Sequence, residues 1–267
     1  MGIRILCLGE IVGKPGVYCI KTALKQLRED HQADLVIANG EGATGGFGLG
    51  KNHSVYLHKL GIDVITTGEK SFFKKDMVGH MGKASYMLRP ANYPPSVPGR
   101  GWRTYTVGEH TVAVINLLGQ SDFSRVHLSN PFSLLPNLLE RINEITPLVI
   151  LQFHAATTAE KNAMFFHADG KVSAVIGTHS KALTADARVF PGGSAVITDN
   201  GRCGSTGSVG GLEPAVEIRK HLTQVPERSE DAWDQLEIQG VLVEINHQGK
   251  AEKIETLRVP VEGGDTE

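Results

Sequence analysis

Five short apolar runs, at residues 3–8, 35–38, 64–67, 148–151 and 172–176, are rich in β-branched side chains, and each soon gives way to glycine or polar residues. Runs of this length and composition read as buried strands. The breaks that follow them are Gly9-Glu10, Asn39-Gly40-Glu41, Gly68-Glu69-Lys70, Phe153-His154 and Gly177-Thr178-His179-Ser180-Lys181. Between the first two runs, Ile20, Ala23, Leu24 and Leu27 have helical spacing. Strand, helix and strand in succession predict βαβ units and a partly parallel sheet. Open sheets of that kind take ligands in the crevice beyond the C-terminal strand ends. Glu10, Glu41, Glu69, His154 and His179 would then converge on one edge. Such a donor set can hold dications and assist an in-line phosphoryl displacement. Lys70 and Lys181 belong to the same breaks, and an ammonium repels a dication.

The rest of the chain is punctuated mainly by glycine and proline. Residues 9–16 read as a turn. Residues 42–50 hold five glycines and read as a loop that matches neither GxGxxG nor GxxxxGK[ST]. Helices are expected at 20–29, 55–60, 74–81, 131–142, 158–169 and 214–222. In the fifth, Thr158 is the expected cap, Lys161 pairs with Glu160, and Met164, Phe165 and Phe166 form the packing face. Further strands are expected at 33–38, 62–67, 148–153, 172–177 and 192–198. A hairpin is expected over 104–107 and 111–117, and a terminal strand pair over 236–246 and 250–259. Pro90, Pro94, Pro95 and Pro98 forbid a regular element between residues 88 and 101. Residues 201–211 read as a second flexible loop. The pattern predicts parallel pairing early and antiparallel pairing in the middle and at the end, within one α/β domain over 1–260 and a flexible tail at 261–267.

Composition excludes several classes of partner. With 27 basic and 29 acidic side chains the net charge is -2, so nothing favours double-stranded nucleic acid or an anionic membrane. No apolar stretch approaches the ~20 residues needed to span a bilayer. Cys7, Cys19 and Cys203 show no CxxC spacing and read as buried free thiols, which favours a reducing, cytoplasmic setting.

Several blocks together resemble the YmdB-like branch of the metallophosphoesterases: ILCLGEIVGKPG at 5–16, VIANGE at 36–41, LRPANYP at 88–94, VINL at 114–117, FHAATTAEK at 153–161, VIGTH at 175–179, TAD at 184–186 and AVITD at 195–199. The resemblance implies a calcineurin-like α/β sandwich of mixed β-sheets flanked by helices. It also implies a dinuclear metal centre that hydrolyses phosphodiesters such as 2',3'-cyclic nucleotides. Glu41, His154 and His179 match the family pattern. The same pattern implies Asp where Glu10 stands, Asn where Gly42 stands and His where Lys181 stands. It implies a ligating Asn where Glu69 stands. Where Lys70 stands, it implies a His that serves as general acid or phosphate contact.

On that resemblance the first metal position, at Glu10, Gly42 and Lys181, is disabled, and the Lys181 ammonium is expected to neutralise Glu10 and Glu41. Glu41, Glu69, His154 and His179 remain as a set for at most one divalent iron, manganese or zinc ion, or for none. Lys70 and Asn39 are the candidate catalytic residues. Lys70 would bind phosphate or stabilise developing charge; alternatively it simply pairs with Glu69 or Glu10 and closes the pocket. Thr157 and Asp186 are expected to support the ligands, Asp199 to support the 177–181 turn, and Arg89 and Asn92 to fix their loop. The readings are a degenerate metallophosphoesterase acting by binding a nucleotide or other phosphoester, a one-metal phosphodiesterase, and a two-metal enzyme. A homo-oligomer through the terminal strand pair stays open.

Overall fold

A computed structural model describes residues 2–123, 126 and 128–263. His127, to which the sequence assigned no chemistry, and residues 264–267 of the expected tail lie outside the described residues. The first half runs β1 (Ile3–Ile11), α1 (Gly13–Asp30), β2 (Leu35–Asn39), α2 (Lys51–Lys59), β3 (Val64–Thr66), α3 (Lys75–Met81), β4 (Met87–Leu88), β5 (Trp102–Val107), β6 (His110–Leu118) and α4 (Pro131–Asn143). The second half runs β7 (Val149–His154), α5 (Thr158–Ala168), β8 (Ala174–Thr178), β9 (Arg188–Val189), β10 (Ala195–Ile197), β11 (Arg202–Ser205), α6 (Pro214–Thr223), β12 (Leu236–Ile245) and β13 (Ala251–Pro260).

Two mixed sheets pack face to face. One has seven strands in the order β13-β12-β11-β1-β2-β3-β4, and the other six in the order β5-β6-β7-β8-β10-β9. Period-two alternation explains the layering. Ile3, Ile5 and Cys7 of β1 face the other sheet, where they meet the layer of Val112, Val114, Ile150 and Ile176. Leu6 and Leu8 face outward onto Val17, Ile20, Leu24 and Leu27 of α1. On the far side, Leu135, Leu139, Met164 and Phe165 of α4 and α5 cover the second sheet. The result is an α/β sandwich of mixed sheets flanked by helices, as expected.

Several expectations change. Residues 13–16 are helical rather than a turn, because Pro15 falls in the first turn of α1, where an N–H has no helical partner. Residues 201–211 are not all loop. Arg202–Ser205 forms β11, parallel to β1 and antiparallel to β12, so sheet partners override the glycine content. Antiparallel pairing does not dominate the middle, since β6, β7, β8 and β10 are mutually parallel and only β5 and β9 oppose them. In α5 the cap is Thr157, whose hydroxyl accepts from Glu160 N, and Phe166 is 71% exposed rather than packed. Val261 of the expected tail is buried and donates its N–H to Leu236 O. No helix among the described residues is long and apolar enough to cross a membrane.

Candidate metal centre

The C-terminal ends of β1, β2 and β3 in one sheet meet those of β7 and β8 in the other. Asn39 closes β2 and is buried. Its Oδ1 accepts from Glu41 N at 2.8 Å, which turns Nδ2 toward the second sheet. There Nδ2 lies 3.1 Å from His154 Nδ1 and 3.3 Å from Thr178 Oγ1. Thr178 Oγ1 is itself 2.8 Å from His154 Nδ1. The imidazole is thus oriented through the nitrogen that faces away from the cleft, the usual way of aiming a ligating histidine.

On the cleft side, His154 Nε2 lies 2.9 Å from Glu69 Oε2 and 3.2 Å from His179 Nδ1. Glu69, His154 and His179 each offer one ligand atom, all within 4.8 Å of one another, and they form the one such cluster among the described residues. Gly68 makes this approach feasible, since a Cβ there would sit 2.3 Å from His154 Cδ2. Glu41, expected as a fourth ligand, is not part of this cluster, because its carboxylate is taken by backbone N–H groups. Its Oε2 accepts from Gly68 N at 2.5 Å and its Oε1 accepts from Lys70 N, so it fixes the loop that carries Glu69.

Burial and charge act against each other here. Burial, reinforced by the Glu69 charge, raises Glu41 to about 7. Burial also opposes the ionised Glu69, but its hydrogen bond to His154 and the charges of His154 and Lys70 win, and its carboxyl is held well below the usual range. His154 is shifted upward although burial works against its cation, because Glu69 accepts from it and adds negative charge. Burial and then the neighbouring His154 lower His179 to about 3, so it presents an uncharged ring to the cleft.

Both lysines are paired. Lys70 Nζ lies 2.8 Å from Glu69 Oε1, and Lys181 Nζ lies 3.4 Å from Glu10 Oε1. Glu10 is 1% exposed, and among the described residues that oxygen has no hydrogen-bond partner. Its extra reach is accommodated at Gly42, where a Cβ would fall 2.7 Å from Glu10 Oε1. The expected Lys181–Glu10 contact and Lys70–Glu69 pair are both present, whereas among the described residues no ion pair joins Lys181 to Glu41.

The remaining site expectations fare differently. Thr157 is engaged as the α5 cap. Asp186 accepts from Thr184 Oγ1 at 2.7 Å and from Thr198, on a loop beside the site rather than on a ligand. Arg89 binds the carbonyls of Pro90, Val97 and Pro98, and Asn92 those of Leu118 and Ser129. Lys161 does not pair with Glu160. It is fully buried, 3.0 Å from Asp199 Oδ2, and that oxygen also accepts from Ser180 N at 2.7 Å. Support of the 177–181 turn by Asp199 is an expectation that holds, while the part of Lys161 in it, and the aromatic rings of Phe47 and Phe123 beside the cleft, were missed. An aromatic side chain inside the glycine loop 42–50 was the available signal for Phe47. A larger cleft of about 490 Å³ lies before β7 and β8, but Lys250 Nζ there is engaged by the carbonyls of Gly170 and Gly192.

Comparison with known proteins agrees with the geometry. The profile of the YmdB-like protein family matches residues 6–257. A 2',3'-cyclic-nucleotide 2'-phosphodiesterase of Bacillus subtilis is 34% identical over 258 residues, 96% of this chain and 97% of that protein. Among solved structures, a phosphatase from Mycoplasma pneumoniae superposes with a TM-score of 0.91 at 35% identity, over 97% of this chain and 94% of that one. A hypothetical protein from Thermus thermophilus gives 0.90 at 30% identity, over 97% of this chain and 100% of that one. A putative 5'-nucleotidase from Staphylococcus aureus, 14% identical with a TM-score of 0.65, shares the fold alone.

Proposed function

The chain belongs to the YmdB-like family of calcineurin-like metallophosphoesterases, and from that premise we propose that it binds a nucleotide-type phosphoester and has little conventional phosphodiesterase turnover. It is a divergent member whose metal site is incomplete, with one triad where the family pattern implies a dinuclear centre. The observation that carries the proposal is the Lys181 ammonium, 3.4 Å from Glu10 Oε1, on the side of the cleft where a first dication would need that carboxylate. A cation placed there would meet a like charge. That position does not fit a metal.

The triad does fit one, because Lys70 holds Glu69 Oε1 and leaves Oε2, the oxygen facing His154, as the ligand atom. Two imidazoles and a carboxylate suit zinc, iron or manganese, and the uncharged His179 ring supplies a lone pair at neutral pH. Glu69, His154 and His179 would hold the ion, and a dication there would supply Lewis-acid polarisation of a phosphoryl oxygen. The chain's own groups do the rest. Lys70, held by Glu69, offers a fixed positive charge to a phosphate, and its high proton affinity makes it an anchor rather than a proton donor. Asn39 and Thr178 keep His154 aimed. Glu41 fixes the backbone that carries Glu69 and Lys70.

Elemental analysis of the purified protein is expected to give no more than one transition metal per chain, and Glu69→Ala or His154→Ala to remove it. Turnover of 2',3'-cyclic AMP is expected to be far below that of the Bacillus subtilis 2',3'-cyclic-nucleotide 2'-phosphodiesterase. Two metals per chain would overturn the proposal. A second reading, a one-metal hydrolase, draws on the Lys70 charge beside an intact triad. Robust turnover lost in His154→Ala would establish it. Three buried free thiols support a reducing, cytoplasmic location.

A further inference from the structure

The cleft beside the triad, about 370 Å³, carries an aromatic wall that phosphoryl chemistry does not require. Phe47 and Phe73 line it and are 47% and 42% exposed, although phenylalanine side chains are strongly apolar. Phe123 lines the same cleft, with its ring centroid 5.2 Å from that of His179 and 6.2 Å from that of His154. Lys70 Nζ lies 6.0 Å from the Phe47 centroid while it pairs with Glu69. An anion site and an apolar π surface are therefore adjacent, with Lys70 and His179 on the border between them.

A cleft of this size lies within the ~300–1,000 Å³ common for small-molecule sites. Among phosphoesters, the ligand class proposed above, a flat unsaturated ring a few bonds from the phosphate is what this pairing of surfaces selects. A nucleotide has one, and stacking on aromatic side chains tolerates any base because every base has a π face. We propose that Phe47 and Phe123 form a nucleobase subsite, so that the ligand is a nucleoside monophosphate or cyclic nucleotide with its base on the aromatic wall and its phosphate at Lys70. This rests on the phosphoester reading above and specifies its ligand. Because stacking grows with ring area, a purine binds more tightly than a pyrimidine.

Isothermal titration of the full chain with adenosine 3'-monophosphate and with ribose 5-phosphate separates the two claims. The wild type is expected to bind the nucleotide about tenfold or more tighter than the sugar phosphate, within the roughly 5- to 150-fold range of a base–aromatic stack. Phe47→Ala and Phe123→Ala should remove that advantage, weakening the nucleotide at least about fivefold more than ribose 5-phosphate. Phe47→Leu, which keeps apolar volume and loses the ring, should behave like Phe47→Ala and guards against a folding defect. Lys70→Ala should weaken both ligands together. Equal wild-type affinity for both ligands, or equal weakening of both by the Phe variants, would overturn the subsite and leave the phosphoester reading standing. If neither ligand binds, or both bind independently of Lys70, the phosphoester reading fails and the subsite falls with it.

Discussion

A methylene added at Glu10 and a side chain absent at Gly42 share the same few ångströms of the cleft. The 2.7 Å separation between Glu10 Oε1 and a Cβ built on Gly42 makes the two positions interdependent. Gly42→Asn alone should therefore overpack the pocket and cost about 1–3 kcal/mol in urea denaturation. Adding Glu10→Asp should recover most of that loss. Adding Lys181→His should then let zinc titration reach a second equivalent, because the ammonium is gone and a lone pair has replaced it. Most of this chemistry was legible beforehand. Glu10, Glu69, His154 and His179 each follow an apolar run, and strand ends in parallel sheets share an edge. The division of labour between the carboxylates was not legible. Glu41 accepts from the Gly68 and Lys70 N–H groups, and a loop's backbone direction leaves no mark in residue type.

The turn after β8 shows how one element depends on another. His179 and Lys181 both sit at positive φ, 103° and 59°, a conformation that non-glycine residues hold only when their surroundings enforce it. Ser180 between them is the tether. Its N–H donates to Asp199 Oδ2, and Lys161 Nζ of α5 reaches both Ser180 Oγ and that carboxylate. Lys161→Met leaves Asp199 buried and unpaired, so it should cost about 3–5 kcal/mol in denaturant unfolding. The double variant with Asp199→Asn should regain part of the loss, since the charge is gone and the one amide oxygen still accepts from either Ser180 N or Gly201 N, which bond different oxygens of the aspartate. In the sequence, Lys161 next to Glu160 looks like a solvated pair on a helix. Only the packing of α5 against the second sheet turns it inward. The strand β11 was hidden in the same way, by glycine content that its sheet partners overrode, and the start of α1 by a proline that a first helical turn tolerates.

At the scale of the molecule, the layer between the sheets joins the N-terminal β1 to the C-terminal β12 as well as to the central strands. We propose that residues 1–260 form a single cooperative unit, and heat or urea should give one coincident transition by fluorescence and circular dichroism. Two separated transitions would refute it. The acid limb of that stability has an identifiable contributor. Burial opposes the Asp186 charge, but hydrogen bonds from Thr184 and Thr198 outweigh it and lower the carboxyl. A carboxyl lowered in the fold contributes stability above its unfolded value near 3.8, and that contribution fades as pH falls through the folded value. Asp186→Asn should therefore reduce stability at neutral pH and flatten the loss below pH ~4. The two lips of the cleft belong to different sheets: Asn39 and Glu69 lie on one, His154 and Thr178 on the other. Whatever lodges between them fastens the halves of the sandwich together, so resistance to sliding of one sheet over the other should rise with occupancy.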